Sequence, residues 1–202
     1  MTNQLLLETQ TKSLQLLSRD LSTCQGCSLR EDLRNENLVV PGFGVYEPEI
    51  MIIGEAPGYR ETVERKPFVG PSGRILQQVV TELGLSPRTN LYITNTVKHR
   101  PPNNRDPSDG EISACARRFL FKEIDILLPK KIITVGKIPT KTMMVAAGLT
   151  PPATGLRGKQ FLYKNIPVFT TWHPAYVMRN PTKMEDLKTD ILNALNWNKN
   201  GV

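Results

Sequence analysis

Apolar positions along the chain follow two rhythms. Leu5, Leu6, Leu14, Leu17 and Leu21 recur at spacings that predict an amphipathic helix running toward Cys24. Three short apolar runs follow the strand pattern instead. EIMIIG, residues 49–54, is closed by Gly and followed by the turn-rich EAPG, so it reads as a buried strand feeding a loop. LYITN, residues 91–95, and KIITVG, residues 131–136, read as two more. Between the first two, Ser72 is placed to cap a helix carried by Ile75, Leu76, Val79, Val80 and Leu83 and stopped at Gly84. Ser108-Asp109-Gly110-Glu111 has the capping-box spacing and opens a helix with Cys115 in its second turn. KQFLYKNIPVFTTWHP, residues 159–174, predicts a hairpin-like pair of strands before His173, and a last helical rhythm covers 183–197.

Strands alternating with helices imply an α/β fold, a mostly parallel sheet with helices on both faces. At 202 residues the chain is expected to form one domain over 1–202, with the N-terminal helix leading into the first cysteine pair. Sheets of this kind bind ligands beyond the carboxyl ends of their strands. Glu55, Asn95 and His173 each fall at such an end.

Charge narrows the class of partner. Lys and Arg total 26 against 19 Asp and Glu, a net charge of +7, which favours a polyanion through phosphate neutralisation. The first 20 residues include acidic side chains and no uninterrupted apolar stretch, so neither a secretory signal nor a membrane span is expected, and the cytoplasm is the expected location. Three cysteines, an odd number, argue against a disulfide framework and leave free thiols or metal ligation.

Cys24 and Cys27 have the two-residue gap that brings two thiolates to one metal centre. Cys115 and His99 complete a set of four soft or borderline ligands. A lone helix cysteine commonly behaves as a small hydrophobe, and a His between Lys98 and Arg100 also suits a phosphate-facing strip. Zinc accepts three thiolates and one imidazole, so ligand counting leaves zinc and iron–sulfur both open.

With these residues beside GEAPG, KPFVGPSG, TNTVKHRPPNNR and HPAYVMR, the sequence resembles the iron–sulfur uracil-DNA glycosylases of family 4. The resemblance runs from Cys24 to Arg179, and the order of four motifs makes it specific. It implies a three-layer α/β/α fold with a mostly parallel four-stranded central sheet. It also implies a 4Fe-4S cluster held by Cys24, Cys27, Cys115 and a fourth ligand, with zinc as the alternative. In the family that fourth ligand is a cysteine directly after the TN-x-V-K segment. Here His99 stands in its place, sixteen positions before Cys115. The family's covalent, uracil-trapping relatives also have His there, but with a basic insertion and a second His that the loop RPPNNRDPSDGE lacks, so hydrolytic turnover is expected.

The resemblance also distributes roles. Glu55 would orient or deprotonate the attacking water and stabilise charge on the sugar. Asn95 would pair with uracil N3–H and O4. Phe68 would stack on the extruded base, and His173 would donate to uracil O2. Backbone of Ala56 and Pro57 would line the base site, and Glu61 would stand against uracil C5, excluding a thymine methyl. Lys98, Arg100 and Arg105 would hold DNA backbone, and Tyr176, Met178 and Arg179 would enter the minor groove or contact phosphate. The expected partner is uracil-containing DNA, single- or double-stranded, bound by a monomer. The other class of protein compatible with these residues is a catalytically inactive iron–sulfur or zinc DNA-binding protein of the same fold.

Overall fold

The computed structural model describes residues 3–31 and 38–197. Its strands are β1 (Phe43–Gly44), β2 (Ile50–Gly54), β3 (Leu91–Asn95), β4 (Lys131–Val135), β5 (Gln160–Tyr163) and β6 (Ile166–Thr171), side by side in the order β1-β3-β2-β4-β6-β5. The four inner strands β3, β2, β4 and β6 are parallel, and the short β1 and the hairpin strand β5 pair antiparallel at the two edges. The parallel centre has the four expected strands. Two residues at 43–44 have no periodicity to read, which is why β1 was not legible in the sequence.

Alternation along each inner strand divides the core. Ile50 and Ile52 of β2 pack on one face with Leu91, Ile93, Ile133 and Val135, under α4 (Pro71–Glu82), α8 (Pro174–Arg179) and α9 (Met184–Asn196). Met51 and Ile53 pack on the other with Tyr92, Ile132 and Val168, under α6 (Phe121–Leu127) and Met143 of α7 (Lys137–Ala146). Successive strand side chains point to opposite faces, so runs apolar at every position require cover on both sides. The result is three layers, α/β/α.

The helix α1 (Asn3–Ser22) brings Leu17 and Leu21 into a third apolar cluster with Cys24, Leu29, Val97, Cys115 and Phe119. Leu5 and Leu7 are exposed, so among the described side chains the leucines that pack lie in the second half of α1, and the side chain of Leu6 lies outside the described residues. Helix α4 begins two residues earlier than Ser72 suggests. Gly70 is its N-cap and Pro71 opens it, a residue whose fixed φ and missing N–H suit the first helical position. Gly84 follows the helix at φ +74°. The capping box at Ser108 and Glu111 forms as expected at the head of α5 (Asp109–Cys115), which continues through a π turn at Ala116–Leu120 into α6.

Candidate active site

In a sheet of this order the chain reverses its direction of growth between β2 and β4, and the crevice beyond their carboxyl ends is the expected ligand site. A cleft of about 860 Å3 lies there. Glu55, Phe68, Asn95 and His173 all line it, drawn from four separate segments, together with Ala56, Pro57 and Glu61. Gly54 and Asn95 are register partners in β2 and β3. The alignment continues past the sheet, since both the Thr96 N–H and its hydroxyl donate to the Gly54 carbonyl at 2.8 Å and the Val97 N–H donates to the Glu55 carbonyl at 3.0 Å.

Asn95 is 3 % exposed, and its Oδ1 has no hydrogen-bond partner among the described residues. Buried amide oxygens are seldom left unpaired, because the lost hydration costs about 1–3 kcal/mol. An acceptor held ready in a cleft suits a ligand that brings an N–H. Gly54 makes the space for it: a Cβ there would stand 2.4 Å from Asn95 Oδ1 and 2.5 Å from Phe68 Cζ.

Phe68 is buried and sits at φ +55°, left-handed backbone that a bulky residue adopts only when its surroundings impose it. The surroundings are identifiable. Gln77 Nε2 donates to the Phe68 carbonyl at 2.7 Å, and the α4 backbone approaches so closely at Gly73 that a Cβ would lie 2.2 Å from that oxygen. Glu61, on α3 (Tyr59–Glu64), accepts from the Gly70 N–H at 2.8 Å and so fixes the far end of the same loop.

His173 caps α8. Its Nδ1 accepts from the Ala175 N–H at 3.1 Å, which assigns the remaining ring proton of a neutral imidazole to Nε2. Burial first, and then the Arg179 charge, push its pKa down to about 4, so the ring is neutral at pH 7. Its centroid lies 6.4 Å from that of Phe68. Gly136, at φ +99°, lets the ring in, since a Cβ there would stand 2.9 Å from His173 Cβ. Glu55 moves the other way: burial, reinforced by the Asp106 charge, raises its pKa to about 7. A carboxylate and an imidazole are thus tuned oppositely in one cleft, the first toward proton acceptance near neutrality and the second toward donation without a charge.

Arg105, Tyr176 and Arg179 line the cleft, whereas exposed Met178 is not among its lining residues. Arg100 stands 5.5 Å over the Tyr59 ring and donates to Asn104 Oδ1 at 2.8 Å. Lys98 does not meet the expectation of a backbone contact. It is fully buried, its Nζ 2.6 Å from Glu123 Oε2 and bonded to the Thr94 hydroxyl, so its charge is held by a buried carboxylate in the bend that follows β3. Tyr59, Arg60, Lys137 and Trp172 also line the cleft and were not singled out from the sequence. Lys137 was within reach of it, since KIITVG ends in the same apolar-run-plus-Gly signal as the segment before Glu55.

Cys24, Cys27 and Cys115 are free thiols gathered in the third apolar cluster. Burial raises the Cys27 thiol, while N–H groups of Leu29 and Arg30 in α2 (Ser28–Glu31) oppose that shift. Burial pushes Cys115 up to about 12, against the Lys98 charge and the Lys98 N–H, which donates to Sγ at 3.3 Å. His99 is buried, and burial, then Arg30, pushes its pKa down to about 4. Among the described residues no three His, Cys, Asp or Glu groups are spaced to share one ion.

The sequence model of the Uracil DNA glycosylase superfamily matches residues 41–196. The chain is 42 % identical over 185 residues to a type-4 uracil-DNA glycosylase of Sulfurisphaera tokodaii, covering 89 % of this chain and 82 % of the relative. It is 41 % identical to that of Saccharolobus solfataricus, covering 89 % and 83 %, and 34 % identical to that of Thermotoga maritima, covering 85 % and 86 %.

Proposed function

The chain belongs to the uracil-DNA glycosylase superfamily, and from that premise we infer that its cleft hydrolyses the N-glycosidic bond of deoxyuridine in DNA, releasing uracil and leaving an abasic site. The observation that carries the reading is the convergence of Glu55, Phe68, Asn95 and His173 on one cleft. A base flipped from DNA, at a cost of a few kcal/mol, would stack on Phe68. Asn95 Oδ1 would accept from N3–H, which cytosine lacks. The Nε2–H of neutral His173 would donate to O2 as the bonding electrons of N1–C1′ withdraw onto the base. Glu55 would take a proton from water as its oxygen adds to C1′, with the carboxylate facing the cationic sugar. Arg100, Arg105, Tyr176 and Arg179 would hold the DNA around that site, and a monomer suffices for it.

The thiols fit a bound iron–sulfur cluster, since two sulfurs already receive backbone N–H groups, the arrangement that stabilises a thiolate. Cys24, Cys27 and Cys115 would hold it, with His99 as a neutral fourth ligand. A zinc ion needs all four donors about 2.0–2.3 Å from one point, whereas a cluster gives each donor its own iron and tolerates a wider spread. When bound, the cluster would supply a rigid centre to the segments that meet there.

The test is incubation with a uracil-containing oligonucleotide followed by alkaline cleavage of abasic sites. Strand breaks are expected from the wild type, and none from Asn95→Ala, which should retain most of its nonspecific DNA affinity because phosphate contacts supply that term. Intact metal-loaded protein that leaves the oligonucleotide uncut would reduce the function to binding.

A further inference from the structure

Glu111 is 3 % exposed and joins three segments at one carboxylate. Ser28, the residue directly after Cys27, donates its hydroxyl to Oε1 at 2.6 Å. Arg105, in the loop that lines the cleft, clasps the same carboxylate through Nη2 to Oε1 at 2.7 Å and Nη1 to Oε2 at 2.8 Å. The Ser108 N–H donates to Oε2 at 2.7 Å, closing the capping box of α5, whose last residue is Cys115. A helix cap needs only the Ser108 pair. The Ser28 and Arg105 bonds are additional, and they tie the Cys24–Cys27 segment to the cleft loop through a group that neither segment contains.

We propose that Glu111 is a positioning residue coupling the metal centre to the DNA-facing loop. Metal held by Cys27 fixes Ser28, Ser28 fixes the Glu111 carboxylate, and the carboxylate fixes the bidentate Arg105 fork whose outer face is left toward the cleft. The Arg105 Nη1 also donates to the Asp106 carbonyl at 2.9 Å, so the guanidinium is held by three oxygens while the side chain remains 45 % exposed and Glu111 is buried. A planar guanidinium held on one edge presents its remaining donors in a defined direction, which suits an incoming phosphate. This rests on the reading of the cleft as a DNA site and of the thiols as metal ligands.

Coupling between two binding events is reciprocal, so DNA must then stabilise the metal centre by the same factor by which the metal strengthens DNA binding. The experiment follows metal loss from the purified holoprotein under a chelator, by visible absorbance or released metal, with and without a uracil-free oligonucleotide. The chelator concentration that strips half of the metal from wild-type protein at equilibrium should rise with DNA present, ~5-fold being the low end of ordinary coupling. Ser28→Ala should bind metal in full yet lose this protection, and Ser28→Thr, which keeps the hydroxyl, should restore it. Protection that survives in Ser28→Ala means DNA merely covers the centre, and it overturns the proposal. So does holoprotein whose metal loss ignores DNA. A chain purified without metal overturns the coupling together with the ligand assignment. An excision assay run in parallel separates all of these from failure of the glycosylase reading, which would show as an unbroken oligonucleotide whatever the metal does.

Discussion

Glu55 and His173 show how burial, more than neighbouring charge, drives two ionisable groups of one cleft in opposite directions. The Glu55 carboxyl is raised to about 7 and the His173 ring is lowered to about 4, each chiefly because its charged form is poorly solvated. If ionised Glu55 accepts a proton from water, excision should rise with pH through about 7. Glu55→Gln should lower the rate about 10²–10⁴-fold and abolish that limb. Stability should move oppositely. The folded pKa lies above the unfolded value, so Glu55 contributes fully below pH 4.5 and its contribution is lost as pH rises through about 7. Glu55→Gln should therefore melt above the wild type at pH 8 and converge with it at pH 4. A wild type that melts higher at pH 8 would show that burial is not what perturbs this carboxyl. His173, with its folded pKa depressed, contributes above pH 6.5 and loses that contribution as pH falls through about 4.

Apolar runs made β2, β3 and β4 legible as elements, and the ends of β2 and β3 made Glu55 and Asn95 legible as candidate site residues, because a parallel strand buried on both faces leaves its polar side chains at its end. The loop around Phe68 was legible only through its motif, since the bonds from Gln77 and Glu61 that hold it arise from a tertiary approach with no local pattern. Lys98 shows the opposite failure. In the sequence it belongs to a basic strip, but in the fold it links the loop after β3 to α6 through Glu123, with Thr94 bonded to both. A buried pair is weak evidence for stability as a pair and strong evidence against removing one member. Lys98→Met should cost about 3–5 kcal/mol by leaving Glu123 uncompensated, while Lys98→Met with Glu123→Leu should recover most of it. Denaturant midpoints of the three proteins decide the matter. A single variant no less stable than the double would mean that Glu123 finds another partner.

Across the whole molecule the two large apolar clusters flank the sheet, while the third, smaller one joins α1 to the loop after β3 through the cysteines. That cluster holds Leu17, Leu21 and Leu29 against Val97 and Phe119 with three thiols among them, so bound metal would supply much of its cohesion. Metal removal should then loosen α1 and the Cys24–Cys27 segment while the sheet, with complete cores on both faces, persists. In hydrogen exchange on the chelated protein, amides of the second half of α1 should lose protection while those of residues 91–95 keep theirs. The same centre tests the fourth ligand. His99→Ala should lower metal content and His99→Cys should retain it, the thiolate adding a negative charge that shifts a cluster's potential downward. Unchanged metal content in His99→Ala would remove His99 from the ligand set, leaving its burial beside Arg30 a matter of packing.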